Sequence, residues 1–510
     1  MTDINFYGAV GEIGGNKIKV DMNSTSLMLD FGMSFGEVGK YFDNFVQPRK
    51  GNGLYDFFEL GLLPKIKGIY REDYLRHTGL DFEDEPAIDG LLLSHAHADH
   101  ADYIKYLRYD IPLFMSLNSK IVLETIDVTG TGKELLTYKR QFEYYLNKKG
   151  EYSQLKSPGN EVKRSVVVLK PYKKEQIGDL DVTLAPVDHS LPGASAFLVE
   201  GQEKLVYTGD LRFHGRARDS TKEFVKEAAK FQPDIMICEG TRINSQSHKK
   251  EVDENGEVVE YLDLEDDIEK KAYPLISDTN GLVVINFPLR DLDRLVTFSN
   301  IAKQTDRKLL ISTKQAYMLK RIEEENEEKT IYPSVYDEHI GIYIPRRGAG
   351  LIGDEYFVAY EGDWRKPEDD LYLKDYKFKW EKEFLDYDNC YTYKDVQDNE
   401  SEYMIRADNF SFMELIDIQP ENAIYIHSTT GAFNTEMELS KQITDNWLSH
   451  FNIPQYEYFH VSGHARGPEL IEMIRTINPD TLYPVHTDHP DMFDVLKEDG
   501  INVIHPELAK

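Results

Sequence analysis

The sequence predicts an α/β protein with more than one core. First, apolar runs that read as buried strands end abruptly in histidine or acidic residues, as Leu91-Leu92-Leu93 does before Ser94-His95-Ala96-His97-Ala98-Asp99-His100. Second, Leu282 to Phe287, Asp291 to Thr305 and Lys308 to Ile311 alternate strand, helix and strand, the pattern of a parallel α/β unit. Third, 510 residues are enough chain for two or more domains.

Composition narrows the class. A hydrophobic content of 41% with 29% charged residues describes a globular protein. No apolar stretch approaches bilayer length, and Met1-Thr2-Asp3-Ile4-Asn5 lacks a basic region followed by an apolar one, so no membrane association is expected. Two cysteines, Cys238 and Cys390, leave no disulfide framework and point to the cytoplasm. The net charge of −31 argues against generic adhesion to nucleic acid or anionic membranes. A polyanionic substrate would need a local basic surface.

Residues 4–32 read as a hairpin-rich opening punctuated by Gly8, Gly11, Gly14 and Gly15, with strands at Ile18 to Val20 and Leu27 to Leu29. Asp30 closes the second of these. Residues 33–87 read as an insertion with a short helix near Tyr70 to His77. After the histidine run, Tyr103, Ile104 and Leu107 keep helical spacing, and 118–165 reads as a long charged helical region that includes Lys133 to Lys149. Val182 to Val187 ends in Asp188-His189, and Lys204 to Tyr207 ends in Thr208-Gly209-Asp210. A helix from about Thr221 to Phe231 precedes the strand Ile235 to Cys238, which runs into Glu239-Gly240-Thr241.

Further on, 246–272 is acidic, with a solvent-facing helix over 264–278. Residues 321–330 read as a solvated helix, and 354–400 as irregular or edge structure. Three more strands end in polar turns. Ala423 to Ile426 runs into His427, Tyr456 to His460 into Val461-Ser462-Gly463-His464, and Thr481 to Val485 into His486.

Neutral imidazoles and a carboxylate are the donor set of zinc or a similar divalent ion. His95 and His97 suit one ion, Asp99 and His100 a second beside it. His-x-His-x-Asp-His after a hydrophobic strand resembles the metal motif of the metallo-β-lactamase superfamily, and "GAVGEIGGNK…LMLDFG" and "DHS…YTGDLRF" resemble its other core motifs. The resemblance implies an αββα sandwich and hydrolysis by metal-activated water. It also implies two divalent ions per chain, zinc by preference, with His189 as a ligand and Asp210 bridging. Asp30 would support the metal histidines from behind.

Glu239-Gly240-Thr241, His460 to Ala465 and Pro484 to His486 are similar to the three additional motifs of the β-CASP branch, nearest to ribonuclease J and the pre-mRNA 3′-end nuclease. That likeness implies a metallo-β-lactamase domain over 1–238 and 451–510 with a β-CASP α/β domain inserted at 239–450. It makes His486 a second-metal ligand, His464 the general acid and Glu239 the residue that orients it, with Asp99 acting in both metal binding and catalysis. Ser462 would hold a phosphate, and Arg290, Arg346, Arg347 or Arg466 would contact the backbone. A histidine in the third added motif accompanies RNA in this family, so the expected reaction is phosphodiester hydrolysis of single-stranded RNA. Two rivals share the motifs: a hydrolase of a small ester or phosphodiester, and a non-catalytic scaffold of RNA processing. Endo- or exonucleolytic action and oligomeric state stay open.

Overall fold

A computed structural model describes the chain except residues 1, 44, 131–132, 155–160, 246–250, 253–257, 260–263, 328–329, 348–375, 377, 432–434, 458 and 510. It separates into two compact units, Met1–Lys249 with Gly463–Lys510, and Lys250–Ser462. Glu239 and His464 therefore both sit in the first unit.

The first unit is an αββα sandwich. One sheet orders its strands Asp3–Phe6, Ile18–Met22, Thr25–Leu29, Gly90–Leu92, Leu113–Met115 and Val166–Val168. The first three are antiparallel and the rest parallel. The other sheet runs Lys174–Ile177, Leu180–Pro186, Ser195–Glu200, Lys204–Tyr207, Ile235–Glu239, Thr481–Val485 and Asn502–Val503, antiparallel up to Lys204–Tyr207 and parallel beyond it.

Between the sheets, Ile18, Leu29, Leu92 and Phe114 meet Val182, Phe197, Tyr207 and Ile237 in one apolar layer. The alternation of these residues along their strands dictates that packing. On the far side of the second sheet, helices Arg218–Phe231 and Gly467–Ile477 bury Phe224, Ala228, Leu470 and Ile474.

The second unit is built on a seven-stranded sheet in the order Cys390–Tyr391, Ile340–Tyr343, Lys308–Ser312, Tyr403–Arg406, Val283–Asn286, Ile424–His427 and Gln455–Tyr456. Every neighbouring pair is parallel, as the strand–helix alternation predicts. Asp291 caps helix Leu292–Gln304 by accepting from the Arg294 amide at 3.0 Å. Among the described residues, no helix is long and apolar enough to cross a membrane.

Several local expectations fail. Among the described residues of 118–165, helix is confined to Leu117–Thr129, which Ser116 caps and which stops at Gly130. Beyond it the chain forms paired strands, Thr137–Lys139 with Glu161–Lys163 and Tyr144–Leu146 with Tyr152–Gln154. Tyrosine and threonine favour a pleated strand, and Asn147 to Glu151 supply a tight turn, so strand preference outweighs a charge density that looked helical. Near 70–77 only a single 3₁₀ turn forms, Glu72–Tyr74, and after His100 the short helix Ala98–Ala101 gives way to a 3₁₀ stretch, Asp102–Tyr106.

The helix Glu265–Ser277 does not simply face solvent. It buries Ile268, Ala272 and Ile276, and the fully buried Glu265 accepts from Arg294 at 2.7 Å. The solvated helix expected at 321–330 is the end of Thr313–Glu325, whose inner face buries Met318, Leu319 and Ile322. Residues 354–375 lie outside the described part; after them, Cys390–Tyr391 is an edge strand.

Candidate metal centre

The residues singled out in the first unit converge because they sit at strand ends that point the same way. Asp30 follows Thr25–Leu29, Ser94 and His95 follow Gly90–Leu92, and His189 follows Leu180–Pro186. Asp210 follows Lys204–Tyr207, Glu239 ends Ile235–Glu239, and His486 follows Thr481–Val485. The two sheets are tied together at this edge, where the Ser195 amide donates to the Ser94 carbonyl at 3.0 Å. Gly209 permits the approach: it has φ of +54°, and a Cβ there would lie 2.6 Å from the Ser94 Cβ. Asp30 and His486 also hold left-handed backbones, φ +55° and +54°. Non-glycine residues adopt that conformation rarely, and it turns both side chains inward.

Three groups of donor atoms result. His95, His97, His189 and Asp210 offer atoms that all lie within 4.8 Å of one another, as do Asp99, His100 and His486, and Asp210, Glu239 and His464. In the first group, His97 Nδ1 lies 2.9 Å from His95 Nε2 and 3.0 Å from His189 Nε2. In the second, His486 Nε2 is 3.3 Å from Asp99 Oδ2. Asp210 faces both, its Oδ2 being 3.6 Å from His95 Nε2, 3.2 Å from His100 Nε2 and 3.8 Å from His486 Nε2. In the third group, His464 Nδ1 stands 3.2 Å from each Glu239 oxygen.

Four of the imidazoles are held from behind. His95 Nδ1 is 3.0 Å from Ser94 Oγ, and His189 Nδ1 donates to the Gly463 carbonyl at 2.5 Å. His100 Nδ1 donates to Asp30 Oδ2 at 2.7 Å, and His486 Nδ1 pairs with Thr241 Oγ1 at 2.7 Å. With Nδ1 engaged, Nε2 of each ring is left facing the cluster. Asp30 is fixed in turn by the Ser94 amide at 2.7 Å and the Tyr207 hydroxyl at 2.6 Å, while Asn16 donates to that hydroxyl at 2.9 Å.

Ser94, Thr241, Tyr207, Asn16 and the Gly463 carbonyl are the supporting groups that sequence reasoning missed. All five lie inside the segments quoted above, which was the available signal. Tyr207→Phe, one step behind the ligand partner Asp30, should therefore lower metal affinity by less than the ~10-fold usual for a group bonded to a ligand itself. Metal titration with a competing chelator checks this, and unchanged affinity would remove Tyr207 from the support of the centre.

Electrostatics separate the two histidine groups. Burial, aided by neighbouring imidazoles, pushes His95 and His189 well below the ordinary histidine value, and burial brings His97 down to about 4. These rings are neutral, the state in which imidazole can ligate a cation. Burial acts in the same sense on His100 and His486, but Asp210 and Asp99 outweigh it and raise both. The carboxylates demand positive charge between them. Among the described residues, His100 Nε2 and Asp210 Oδ1 are also buried without a hydrogen-bond partner, a costly state for polar atoms that a cation would satisfy. The donor set fits divalent metal ions.

Ser462 is the last residue of the second unit, half-buried and two residues before His464. Arg346 pairs with Asp417 at 2.5 Å and Arg347 with Glu381, so carboxylates already engage both guanidinium groups. Arg466 is the N-cap residue of helix Gly467–Ile477 in the first unit, and Arg290 directly precedes the capping Asp291 in the second. His77 has no place in the cluster.

Comparisons with known proteins bear on the family and the fold. Residues 71–264 match the beta-lactamase superfamily domain, and residues 454–506 match the Zn-dependent metallo-hydrolase RNA specificity domain. The first match places a metallo-β-lactamase superfamily domain within the chain. Within that superfamily the likeness is to a ribonuclease J. It is 22% identical over 499 residues to Ribonuclease J 2 of Streptococcus pyogenes, covering 96% of this chain and 71% of that protein. The crystal structure of a protein of unknown function from Enterococcus faecalis superposes with a TM-score of 0.70 at 21% identity, over 100% of this chain and 98% of that one, and shares the fold.

Proposed function

We propose that the chain is a metal-dependent ribonuclease acting on single-stranded RNA, with two ions per chain, zinc by preference. The observation that carries this reading is the convergence of seven ligand-type side chains with a Glu239–His464 pair beside the shared carboxylate Asp210. The inserted α/β domain of the branch corresponds to the second unit. Ions held by His95, His97, His189 and Asp210, and by Asp99, His100, His486 and Asp210, would supply a nucleophile at neutral pH and offset charge growing on the phosphate.

The protein's own groups do the remainder. Burial disfavours charge on His464, but Glu239 and Asp210 outweigh it and push its pKa up to about 9, so the ring is protonated at neutral pH. Both Glu239 oxygens hold its Nδ1 and thereby fix the ring. Glu239 is itself oriented by the Leu211 amide at 2.9 Å and the Thr241 amide at 3.1 Å. The fixed imidazolium donates a proton to the leaving oxygen. Ser462, next to this turn, contributes a phosphate contact.

Purified protein should contain about two transition-metal ions per chain, read by elemental analysis before and after zinc addition. Absence of metal in both preparations would sink the site. The metal-loaded protein should cleave end-labelled RNA in preference to single-stranded DNA and a generic phosphodiester. Turnover of the small phosphodiester alone would favour the small-substrate hydrolase, and no turnover with RNA binding would favour the scaffold. The pattern of labelled products separates end-directed from internal cleavage.

A further inference from the structure

The two-stranded ribbon that replaces the expected helix has a composition unlike the rest of the chain. Residues 137–154 hold four lysines or arginines against two glutamates, in a protein of net charge −31, and five of the residues are aromatic. Tyr144 faces Gln154, Tyr145 faces Ser153 and Leu146 faces Tyr152 across the strands. Alternation and pairing therefore place Tyr144, Leu146 and Tyr152 on one face. They are 58%, 60% and 79% exposed, and Tyr145 on the other face is 49% exposed. Tyr144, Leu146 and Tyr152 form a contiguous, open apolar face on one small element, the kind of surface that interaction sites use.

The tip is an ordered turn. The Gly150 amide donates to the Asn147 carbonyl at 2.9 Å, and Asn147 Oδ1 accepts from the Lys149 and Glu151 amides at 2.9 and 3.0 Å. Gly150 takes φ of +75°. The turn presents Lys148 and Lys149 to solvent, and neither has a carboxylate partner among the described residues.

The root is anchored. Buried Arg71 donates to the Lys139 carbonyl at 2.9 Å and the Lys105 carbonyl at 3.2 Å, with its guanidinium 3.7 Å from the Tyr138 ring centroid. Arg164 donates to the carbonyls of Leu135 at 2.8 Å, Leu107 at 2.6 Å and Lys105 at 3.0 Å. Lys105 lies in the 3₁₀ stretch directly after Asp99 and His100. The ribbon is thus fastened to the segment that carries the metal motif.

We propose that this ribbon is a docking surface for single-stranded RNA, with Tyr144 and Tyr152 stacking on bases and Lys148 and Lys149 meeting phosphates. The inference rests on the ribonuclease reading and names the surface that holds the substrate. Charge favours this occupant, because the tip is basic where the chain as a whole repels a polyanion. Exposed rings interleaved with lysines form the surface that unpaired bases and their backbone require, and an unpaired strand can offer base faces that a duplex hides.

The test uses the full chain in a His464→Ala background, so that bound RNA is not consumed. Affinity for a short unstructured RNA is read by fluorescence anisotropy across a salt series. Y144S/Y152S should weaken binding by about 10-fold or more, and Y144F/Y152F should bind as the parent does, because the ring and not the hydroxyl does the stacking. K148E/K149E should also weaken binding and flatten the salt dependence. In the otherwise native chain, the serine variant should hydrolyse bis(p-nitrophenyl) phosphate at the parent rate, and its melting temperature should be unchanged.

If the parent binds RNA and the serine variant binds it equally, the ribbon proposal falls while the ribonuclease reading stands. If the parent binds no RNA at all, both fall. If the serine substitutions leave RNA binding intact but abolish self-association in sedimentation, the ribbon is an interface between copies and the proposal is overturned.

Discussion

His464→Ala is expected to reduce RNA cleavage by about 10²-fold or more, the usual scale for loss of a general acid, while leaving metal content unchanged. The expectation follows from how the ring is held. Its Nδ1 is 3.2 Å from both Glu239 oxygens but 3.9 Å from Asp210, so Glu239 and not the shared carboxylate fixes its orientation. The remaining seven ligand-type residues form two groups without it. Elemental analysis of the variant beside single-turnover cleavage separates the two effects. Loss of metal from His464→Ala, with metal retained in His486→Ala, would mean that the two histidines exchange roles. Added imidazole should restore part of the activity of the alanine variant, since the missing group is a proton donor rather than a structural prop.

The metal motif was legible because its chemistry is local. His95, His97, Asp99 and His100 lie within six residues at a strand end, and no ordinary turn needs that density of ligands. Groups that act across the fold were not legible in the same way. Asp30 reaches His100 over 70 residues, Thr241 reaches His486 over 245, and the Gly463 carbonyl reaches His189 over 274. Only the order of the motifs hinted at those meetings; Asn16 and Tyr207 also lie inside quoted motifs, but nothing local showed which group each would touch.

The strand–helix alternation of the second unit was readable because its parallel strands are continuous apolar runs, as in Leu282 to Phe287. Charge misled twice. Lysines and glutamates between Lys133 and Lys149 masked a ribbon whose tyrosines alternate faces. Acidic residues at the start of Glu265–Ser277 suggested a solvated face where Glu265 is in fact buried against Arg294. In both cases a tertiary partner decided the outcome, and local composition carries no record of it.

Asp210→Asn is expected to have the largest effect on the centre. Its Oδ2 lies within 4 Å of nitrogens of His95, His100, His464 and His486, so one carboxylate faces every group. Asparagine keeps the shape but removes the negative charge that offsets repulsion between two adjacent cations. Metal content should fall from about two ions per chain to about one or fewer, and cleavage by about 10³-fold or more, since several kcal/mol of charge stabilisation is lost at about 1.4 kcal/mol per factor of ten. A readout independent of catalysis is available. Zinc that binds only the folded chain raises its melting temperature, and the rise should be clearly smaller for Asp210→Asn than for the parent, with the two proteins converging in excess chelator. A variant that keeps both ions and the full zinc-dependent rise would show that Asp210 is not the shared ligand, and that each group holds its ion without it.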